Sequence, residues 1–356
     1  MAKKRVAVIF GGRSNEYDIS LISASYIINN IPRDNYEVIM VGITKKGRWL
    51  HYIGSVEEIK SGKWVEHSDN VPCILSPDPL DRGFIETMPD GEVSRLKVDC
   101  IFPALHGKNG EDGSIQGLFQ MSQIPYVGCD MLSSACCMDK EFAHRILESG
   151  GIRMAKWLPV RLRDLDRLDK RCDEIAQQLK FPMFIKPSRC GSSVGISKAY
   201  DIKQLREGIK TAFSHDTKVL VEQGIDGVEC ECAVMGNDKL TVSTVGEIMP
   251  ANDFYDYEAK YTVPQEQTKI PATFGKDVIE KIRDTADKAY RLIGCEGLAR
   301  VDFFYTTEGE VVLNEINTMP GHTPISMYPK LMENTGMPAQ EEMDRLISLA
   351  FERTQL

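Results

Sequence analysis

The chain has 356 residues, of which 42% are hydrophobic and 27% charged, and its formal net charge is −9. That length predicts two or three domains, and the composition is typical of a globular protein. The negative charge argues against nucleic acid as a partner, because phosphate backbones attract basic surfaces, and no apolar run approaches the ~20 residues that a membrane span needs.

The N-terminal part alternates between strand and helix patterns. Residues 5–10 are predicted as a strand, 18–31 as a helix, 36–44 as a second strand and 98–107 as a further strand that leads into a helix. The first apolar run is too short for a signal sequence and ends in a glycine turn, so we expect a cytoplasmic protein. The alternation predicts α/β architecture, beginning with an open parallel sheet.

The rest of the chain continues this pattern. Helices are predicted at residues 133–150, 276–292 and 339–352, and strands at residues 218–223, 228–234 and 241–248, followed by a long polar loop at 252–270. Ten cysteines are scattered along the chain without a C-x-x-C pair. That spacing favours buried free thiols over disulfides or a zinc site.

The stretch "VVLNEINTMPG" begins as an apolar strand and ends in polar residues. Side chains alternate across a strand, so Leu313, Glu315 and Asn317 are predicted to share one face. Arg300 and Asp302 share a face of the preceding strand, and a short polar turn joins the two runs as a β-hairpin. Two carboxylates and an amide oxygen suit Mg²⁺, although a solvated hairpin face would show the same pattern.

Three glycine-rich loops are candidate anion sites. The first, "FGGRSNEYDIS", follows a strand and opens a helix. It lacks the G-x-G-x-x-G pattern, and the second strand ends without an acid, so a dinucleotide-dependent dehydrogenase is disfavoured. Glu16 in this loop could equally be a first-turn helix acid that the helix dipole stabilises.

The second loop, "LHGKNGEDGSIQG", places His106 at a strand end, where ligands bind in open α/β sheets. The third, "IKPSRCGSSVGISK", is the strongest, because successive amides, the hydroxyls of Ser192 and Ser193 and the ammonium of Lys186 suit a triphosphate. No Walker A pattern occurs, which favours an ATP clamp between two sheets. A hairpin with a solvated loop is the alternative.

Together with "MDKEFAHRIL", "VEQGIDGVECECAV", "FYDYEAKY" and "LNEINTMPGHTPISMYP", these segments resemble, in order and over nearly the whole chain, the D-alanine–D-alanine ligases of the ATP-grasp superfamily. The resemblance implies an N-terminal D-alanine-binding domain at residues 1–125. It also implies a two-lobed ATP-grasp domain, with a central lobe at 126–222 and a C-terminal lobe at 223–356 that carries the metal and substrate sites.

The resemblance further implies the residues that bind ATP and metal. Two Mg²⁺ ions, with Mn²⁺ as an alternative, would be held by Asp302, Glu315 and Asn317. Phosphates would be bound by two lysines and by the loop that carries Ser192 and Ser193, called the serine loop below. Adenine would be bound by a strand end, ribose by a glutamate, and the γ-phosphate by a lysine in a lid. These residues are Lys140, Lys186, Ser192, Ser193, Glu222, Gln223, Ile225, Glu229 and Lys260.

A second group of residues is implied for the amino-acid substrates. Glu16 would bind the ammonium of the first D-alanine with His106 nearby, and Tyr261 in the lid would hydrogen-bond near Ser192. A guanidinium and a backbone amide would stabilise the tetrahedral intermediate, and a serine with its neighbour would hold the second carboxylate. These last residues are Arg300, Gly321, Ser326 and Met327.

The implied reaction is ATP-dependent synthesis of D-alanyl-D-alanine through an acyl phosphate, for cell-wall precursors, in a homodimer. A non-catalytic nucleotide-binding regulator is an alternative from another class. D-Serine or D-lactate as second substrate is another, but ligases of the vancomycin-resistance type carry histidine in place of Tyr261 or arginine in place of Met327. His322 and Ile325 stand where aromatic residues are frequent, and Cys190 replaces a commonly acidic or small residue.

Overall fold

The N-terminal sheet has seven strands in the computed structural model, which describes residues 2–249 and 268–353. The strands are β1 Lys4–Gly11, β2 Tyr36–Ile43, β3 Trp49–Tyr52, β4 Val71–Leu75, β5 Gly83–Thr87, β6 Val93–Lys97 and β7 Cys100–Ala104. Their order is β6-β5-β4-β3-β2-β1-β7, and only β2, β1 and β7 run parallel. The predicted parallel sheet is therefore confirmed for the three strands at one end of the sheet. The antiparallel strands beside it were not predicted.

Strand β1 is buried on both faces, as expected for a central parallel strand. Val8 and its alternate neighbours pack on helix α1 (Tyr17–Asn30), whereas Ile9 packs with helix α3 (Ser114–Ser122) on the other face. The short helix α2 (Val56–Lys60) packs on the same face of the sheet as α1. Because β1 and β7 are parallel neighbours, their C-terminal ends lie side by side. The first two glycine loops, which follow these strands, therefore lie close together.

A second, antiparallel sheet follows. Its strands are β8 Trp157–Arg161, β9 Met183–Pro187, β10 Ser197–Ala199 and β11 Lys218–Gln223, in the order β10-β9-β11-β8. Helices α6 (Leu168–Gln178) and α7 (Ile202–Ala212) share its hydrophobic core, and a 3₁₀ turn at Leu162–Arg167 precedes α6. Lys186 on β9 leads directly into the third glycine loop.

The third sheet contains the predicted hairpin. Its strands are β12 Gly227–Met235, β13 Thr241–Ile248, β14 Thr268–Lys269, β15 Leu298–Thr306 and β16 Val311–Asn317, in the order β14-β13-β12-β15-β16. Helix α8 (Lys276–Ile293) covers one face. The register pairs Asp302 with Glu315 and Arg300 with Asn317, which confirms the predicted neighbourhood of these four side chains.

A β-bulge corrects one detail of the hairpin. Beyond Asp302 the register shifts, so that Phe303 pairs with Leu313 and Asn314 has no counterpart on β15. Paired residues share a face, so Leu313 lies with Phe303 in the hydrophobic core instead of on the Glu315 face. The prediction for Leu313 was wrong because a single extra residue reverses the alternation.

The helix predicted at residues 133–150 is two helices, α4 (Met131–Met138) and α5 (Lys140–Ser149). Asp139 ends the first and caps the second, since its side chain accepts hydrogen bonds from the amides of Glu141 and Phe142. Both helices share the core of the third sheet. The proposed central lobe at 126–222 therefore begins with residues that pack on its neighbour, and the division into domains stays a prediction.

The C-terminal helices α9 (Met327–Asn334) and α10 (Ala339–Arg353) tie the two ends of the chain together. They belong to one hydrophobic core with β1, α1 and residues of β12. All ten cysteines carry free thiols and eight of them are buried, as predicted. No helix of the described residues is both long and apolar enough to cross a membrane.

Candidate active site

The buried end of the hairpin is a cluster of opposite charges. Arg300 donates two hydrogen bonds of 2.7 Å to the two oxygens of Asp302, and its Nε lies 3.0 Å from Glu231 on the adjacent strand β12. Asn317 donates from Nδ2 to Asp302 over 2.9 Å. Burial alone would lower the pKa of the Arg300 guanidinium, but the charges of Asp302 and Glu231 raise it above its ordinary value.

This donor set fits the predicted metal ions. Glu231, Asp302 and Glu315 supply more negative charge than Arg300 and Lys140, whose ammonium lies 3.9 Å from Glu315, can balance. Hard carboxylate and amide oxygens at one place are the ligands that Mg²⁺ prefers. The chemistry of the cluster therefore leaves room for a divalent cation.

A cavity of about 540 Å³ lies between the second and third sheets. Every described residue predicted to bind ATP lines it: Lys140, Lys186, Ser192, Ser193, Glu222, Gln223, Ile225 and Glu229. Its volume is in the range of small-molecule sites. Lys260 lies outside the described residues.

A buried ion pair forms part of the lining of this cavity. Lys186 Nζ lies 2.6 Å from Glu222, whose other oxygen lies 3.1 Å from His144 Nε2. Burial alone would raise the pKa of Glu222, but the charge of Lys186 and the His144 hydrogen bond hold it well below its usual range. The bulge residue Asn314 accepts a 3.4 Å hydrogen bond from Lys186. Lys186 is thus held toward the cavity.

The third glycine loop contains a tight turn, closed by a hydrogen bond from the Val194 amide to the Gly191 carbonyl. Ser192 and Ser193 have consecutive φ values of 51° and 57°, a conformation that non-glycine residues rarely adopt. Ser192 Oγ is buried and has no hydrogen-bond partner among the described residues. Strained backbone and an unsatisfied hydroxyl both favour a ligand at this position.

Lys140 is held in place by groups beneath the loop. Its Nζ donates a 2.9 Å hydrogen bond to the carbonyl of Cys190. The preceding Asp139 contacts Lys218 and accepts a 2.9 Å hydrogen bond from Ser188. Lys218 also lies 3.2 Å from Glu141. Because Asp139 caps α5, this network fixes the helix end from which Lys140 extends.

A smaller cavity of about 150 Å³ lies beside the first. All described residues predicted to bind the amino-acid substrates line it: Glu16, His106, Arg300, Gly321, Ser326 and Met327. Tyr261 lies outside the described residues. Glu111, Glu231 and Lys330 also line the cavity, so it offers both carboxylates and cations to a zwitterion.

The first two glycine loops meet at one wall of this cavity. His106 lies 3.5 Å from Glu111 through Nδ1 and 2.9 Å from Ser23 Oγ through Nε2. Burial alone would lower the pKa of His106, but the hydrogen bond and charge of Glu111 and the charge of Glu16 raise it. Glycine is favoured at position 107, since its φ is +69° and a Cβ would lie 2.3 Å from a Glu16 oxygen, which would have to move.

The opposite wall is the segment after β16. Ser326 Oγ accepts a 3.0 Å hydrogen bond from the Thr323 amide and lies 2.7 Å from the Thr323 hydroxyl. A Cβ at Gly321 would lie 3.0 Å from that same Oγ. Gly321, Ser326 and Met327 are therefore brought together, as predicted.

The two cavities share Lys140, Gly191, Ser192 and Glu315 in their linings. Groups bound in the larger cavity and in the smaller one therefore meet beside an ammonium, a carboxylate and the serine loop. That arrangement suits transfer of a phosphoryl group between two bound molecules.

Several residues of the site were missed in the sequence. Glu231 could have been found, because it alternates with Glu229 on β12 and so shares its face. Asn314 could not, since its place depends on the bulge. His144 and Lys218 reach the site only through tertiary packing.

Two family models match the chain: D-ala D-ala ligase N-terminus at residues 5–129 and D-ala D-ala ligase C-terminus at residues 146–348. The D-alanine--D-alanine ligases of Caldicellulosiruptor bescii and Acetivibrio thermocellus are both 47% identical to it. The alignments cover 100% and 99% of this chain, and 97% and 96% of the relatives.

Solved structures of similar fold are ligases of the same kind. The VanG D-Ala:D-Ser ligase from Enterococcus faecalis has a TM-score of 0.89 and 43% identity, covering 98% of this chain and 100% of its own. The D-alanine-D-alanine ligase from Coxiella burnetii has a TM-score of 0.86 and 33% identity, covering 100% and 96%. The chain therefore belongs to the D-alanine–D-alanine ligase family and is an ATP-dependent ligase of the ATP-grasp fold.

Proposed function

We propose that the protein joins two D-alanine molecules into D-alanyl-D-alanine, a precursor of peptidoglycan, at the expense of one ATP. The observation that carries this proposal is the meeting of the two cavities at Lys140, Ser192 and Glu315. One cavity has the size and cations for ATP, and the other has the mixed charges that two amino acids require.

The first step is phosphoryl transfer. A carboxylate is a poor electrophile, so an oxygen of the first D-alanine attacks the γ-phosphorus and ADP leaves, which gives an acyl phosphate. Lys140, Lys186 and the amides of the serine loop orient the phosphates and offset their charge. Glu16 holds the ammonium of the first D-alanine.

The second step is acyl transfer. The neutral amine of the second D-alanine attacks the acyl carbon, and the resulting oxyanion is stabilised by Arg300 and the Gly321 amide. The C–O bond to phosphate then breaks, and the amine gives up one proton, which the departing inorganic phosphate takes, as the amide forms. Ser326 and Met327 hold the second carboxylate. These side chains act by positioning and by charge, without a covalent bond to the protein.

Two Mg²⁺ ions, with Mn²⁺ as a substitute, complete the proposed site. Asp302, Glu315 and Asn317 would hold them. Bound there, the ions supply positive charge that neutralises the phosphate oxygens. The support is the cluster of carboxylates around Arg300, which exceeds the positive charge beside it.

D-Serine is the second candidate nucleophile, because a D-Ala:D-Ser ligase is 43% identical to this chain. We favour D-alanine because Met327 stands where resistance-type ligases commonly carry arginine. A pocket rejects an added hydroxyl only weakly, so D-serine should compete at a lower rate.

A mixed-substrate assay tests the proposal. Purified protein, ATP and Mg²⁺ are incubated with equal concentrations of D-alanine, D-serine and D-lactate at neutral pH, and products are separated by mass. We expect D-alanyl-D-alanine to dominate and phosphate release to require D-alanine. Dominance of D-alanyl-D-serine or D-alanyl-D-lactate would overturn the choice of nucleophile, and ATP binding without turnover would favour the regulator.

The family resemblance also supports a homodimer in the cytoplasm, where ATP is available. Light scattering of the purified protein measures its oligomeric state, and fractionation of cells measures its location. A monomeric mass at assay concentration would refute the dimer.

A further inference from the structure

A buried histidine stands directly behind the segment that carries Gly321. His322 is 3% exposed, and its ring packs 5.2 Å from the Tyr328 ring. Its Nδ1 lies 2.9 Å from the carbonyl oxygen of Pro320, and its Nε2 lies 3.0 Å from Glu342 on α10. Both ring nitrogens are therefore engaged, one with the active-site segment and one with the C-terminal helix.

The partners decide where the protons are. A carbonyl oxygen only accepts, so Nδ1 of His322 carries a proton and donates it to Pro320. Nε2 lies 3.0 Å from a Glu342 oxygen, so this second contact holds the ring from the other side. Glu342 is fully buried, and its second oxygen has no hydrogen-bond partner among the described residues. His322 is thus the partner on which this carboxylate depends.

The contact to Pro320 has a specific geometric consequence. The Pro320 carbonyl and the Gly321 N–H belong to one peptide group, which is planar, and this peptide bond is trans. In a trans peptide the two groups point in opposite directions. Holding the carbonyl oxygen toward His322 therefore aims the Gly321 N–H away from the ring.

This segment has few anchors of its own. Proline lacks an N–H donor and glycine lacks a side chain, so the peptide between them could rotate unless an outside group held it. The backbone amide of His322 adds one such contact, a 3.3 Å hydrogen bond to Ser23 Oγ, which also lies 2.9 Å from His106. The segment is thereby linked to the wall that carries His106.

We propose that His322 and Glu342 are positioning residues for acyl transfer, which fix the Pro320–Gly321 peptide with its N–H directed at the developing oxyanion. The inference rests on the proposed function, in which the Gly321 amide stabilises that oxyanion. Glu342 fixes the imidazole, and the imidazole fixes the peptide plane.

Two substitutions at one position separate the two contacts. In His322→Gln the side-chain amide reaches the place of Nε2 and keeps the Glu342 contact, but the donor to Pro320 is lost. In His322→Asn the amide reaches the place of Nδ1 and keeps the Pro320 contact, but Glu342 loses its partner. Glu342→Gln keeps a hydrogen-bond partner for Nε2, and Glu341→Gln, on the exposed face of α10, is the control.

Steady-state kinetics and thermal unfolding are measured for all four variants with ATP and D-alanine. An oxyanion contact acts only in the transition state, so we expect His322→Gln to lower kcat by about tenfold to a hundredfold with KM for D-alanine and Tm nearly unchanged. His322→Asn should lower Tm and keep kcat within about fivefold, and Glu342→Gln should retain most activity.

The inference is overturned if His322→Gln keeps the wild-type kcat, or if kcat simply follows Tm across the variants. If His322→Asn does not fold, His322→Gln against Glu342→Gln still decides. Absence of D-alanine-dependent phosphate release in the unmodified protein would instead overturn the proposed function, so the two failures are distinguishable.

Discussion

The ATP cavity and the substrate cavity are built in different ways. The larger is enclosed mainly by strands of two neighbouring sheets, and most of its lining comes from residues 182–229 and 304–315. The smaller is assembled from segments near residues 16, 106–111, 231, 300 and 316–330. The larger cavity therefore depends on how the second and third sheets pack, whereas the smaller one also depends on the loops of the N-terminal sheet.

Their electrostatics differ as well. In the ATP cavity Glu222 is balanced by Lys186 and His144. The substrate cavity is lined by the carboxylates Glu16, Glu111 and Glu231 and by the cations Arg300 and Lys330. The first arrangement suits a polyanion, since two lysines lie beside the serine loop. The second suits zwitterions, whose ammonium and carboxylate each need an opposite charge.

The largest effect is expected from a substitution at a residue that lines both cavities. Glu315→Gln removes the charge of a proposed metal ligand, so we expect turnover to fall by about three orders of magnitude or more, with Tm nearly unchanged. Phosphate release measures turnover, and circular dichroism measures Tm. Glu308→Gln, in the exposed hairpin turn, is the matched control. Retained activity at ordinary Mg²⁺ concentrations would refute the metal assignment.

A second substitution should affect one cavity more than the other. Lys186→Ala removes an ammonium from the ATP cavity, so we expect the Kd for ATP to rise by about tenfold to a hundredfold while KM for D-alanine changes by less than about threefold. Isothermal titration and steady-state kinetics give these values, and Lys203→Ala at the surface is the control. Equal losses for both substrates would make Lys186 a structural residue.

The support beneath Lys140 should act through stability. Lys218→Met leaves the buried Asp139 without its ammonium, and breaking such a pair costs about 3–5 kcal/mol. We expect urea unfolding to show a loss of that order. Replacing both residues in Lys218→Met with Asp139→Leu should recover part of it, because no unpaired charge is left. A double variant as unstable as the single one would contradict the pairing.

The smallest expected effect is a pH dependence. The pKa of Glu222 is lowered in the folded protein, so its contribution to stability is present above the unfolded-state value of about 4.3 and is lost as the pH falls below it. Glu222→Gln should therefore flatten the decline of unfolding free energy between about pH 5 and pH 3. Parallel pH profiles for both proteins would show that Glu222 is not stabilised by its partners.

Part of the fold and of the candidate site is encoded in short stretches of the sequence. The parallel strands of the N-terminal sheet, the hairpin pairing of Asp302 with Glu315 and the serine loop follow from local pattern. So do most of the elements in the second half of the chain. Strands β3–β6 are four or five residues long, too short for alternation to mark them.

Other features depend on packing that no short stretch encodes. The bulge at Asn314 reverses the face of Leu313 without any glycine or proline to announce it. Helix α5 starts at Lys140 because Asp139 caps it, and Lys218, 79 residues away, holds that cap. The contact of His322 with Glu342 joins residues that only the folded C-terminal segment brings together.

The residues that line both cavities have a consequence for inhibitor design. A molecule that fills the nucleotide cavity and continues past Glu315 into the amino-acid cavity would occupy both with one loss of translational freedom. Joining two weak fragments in this way makes the second binding event intramolecular, with an effective concentration in the millimolar range or above for a short linker. Because Lys140 and Ser192 line both cavities, the linker need span no protein between them, and a tetrahedral phosphorus group at the junction would lie beside both residues.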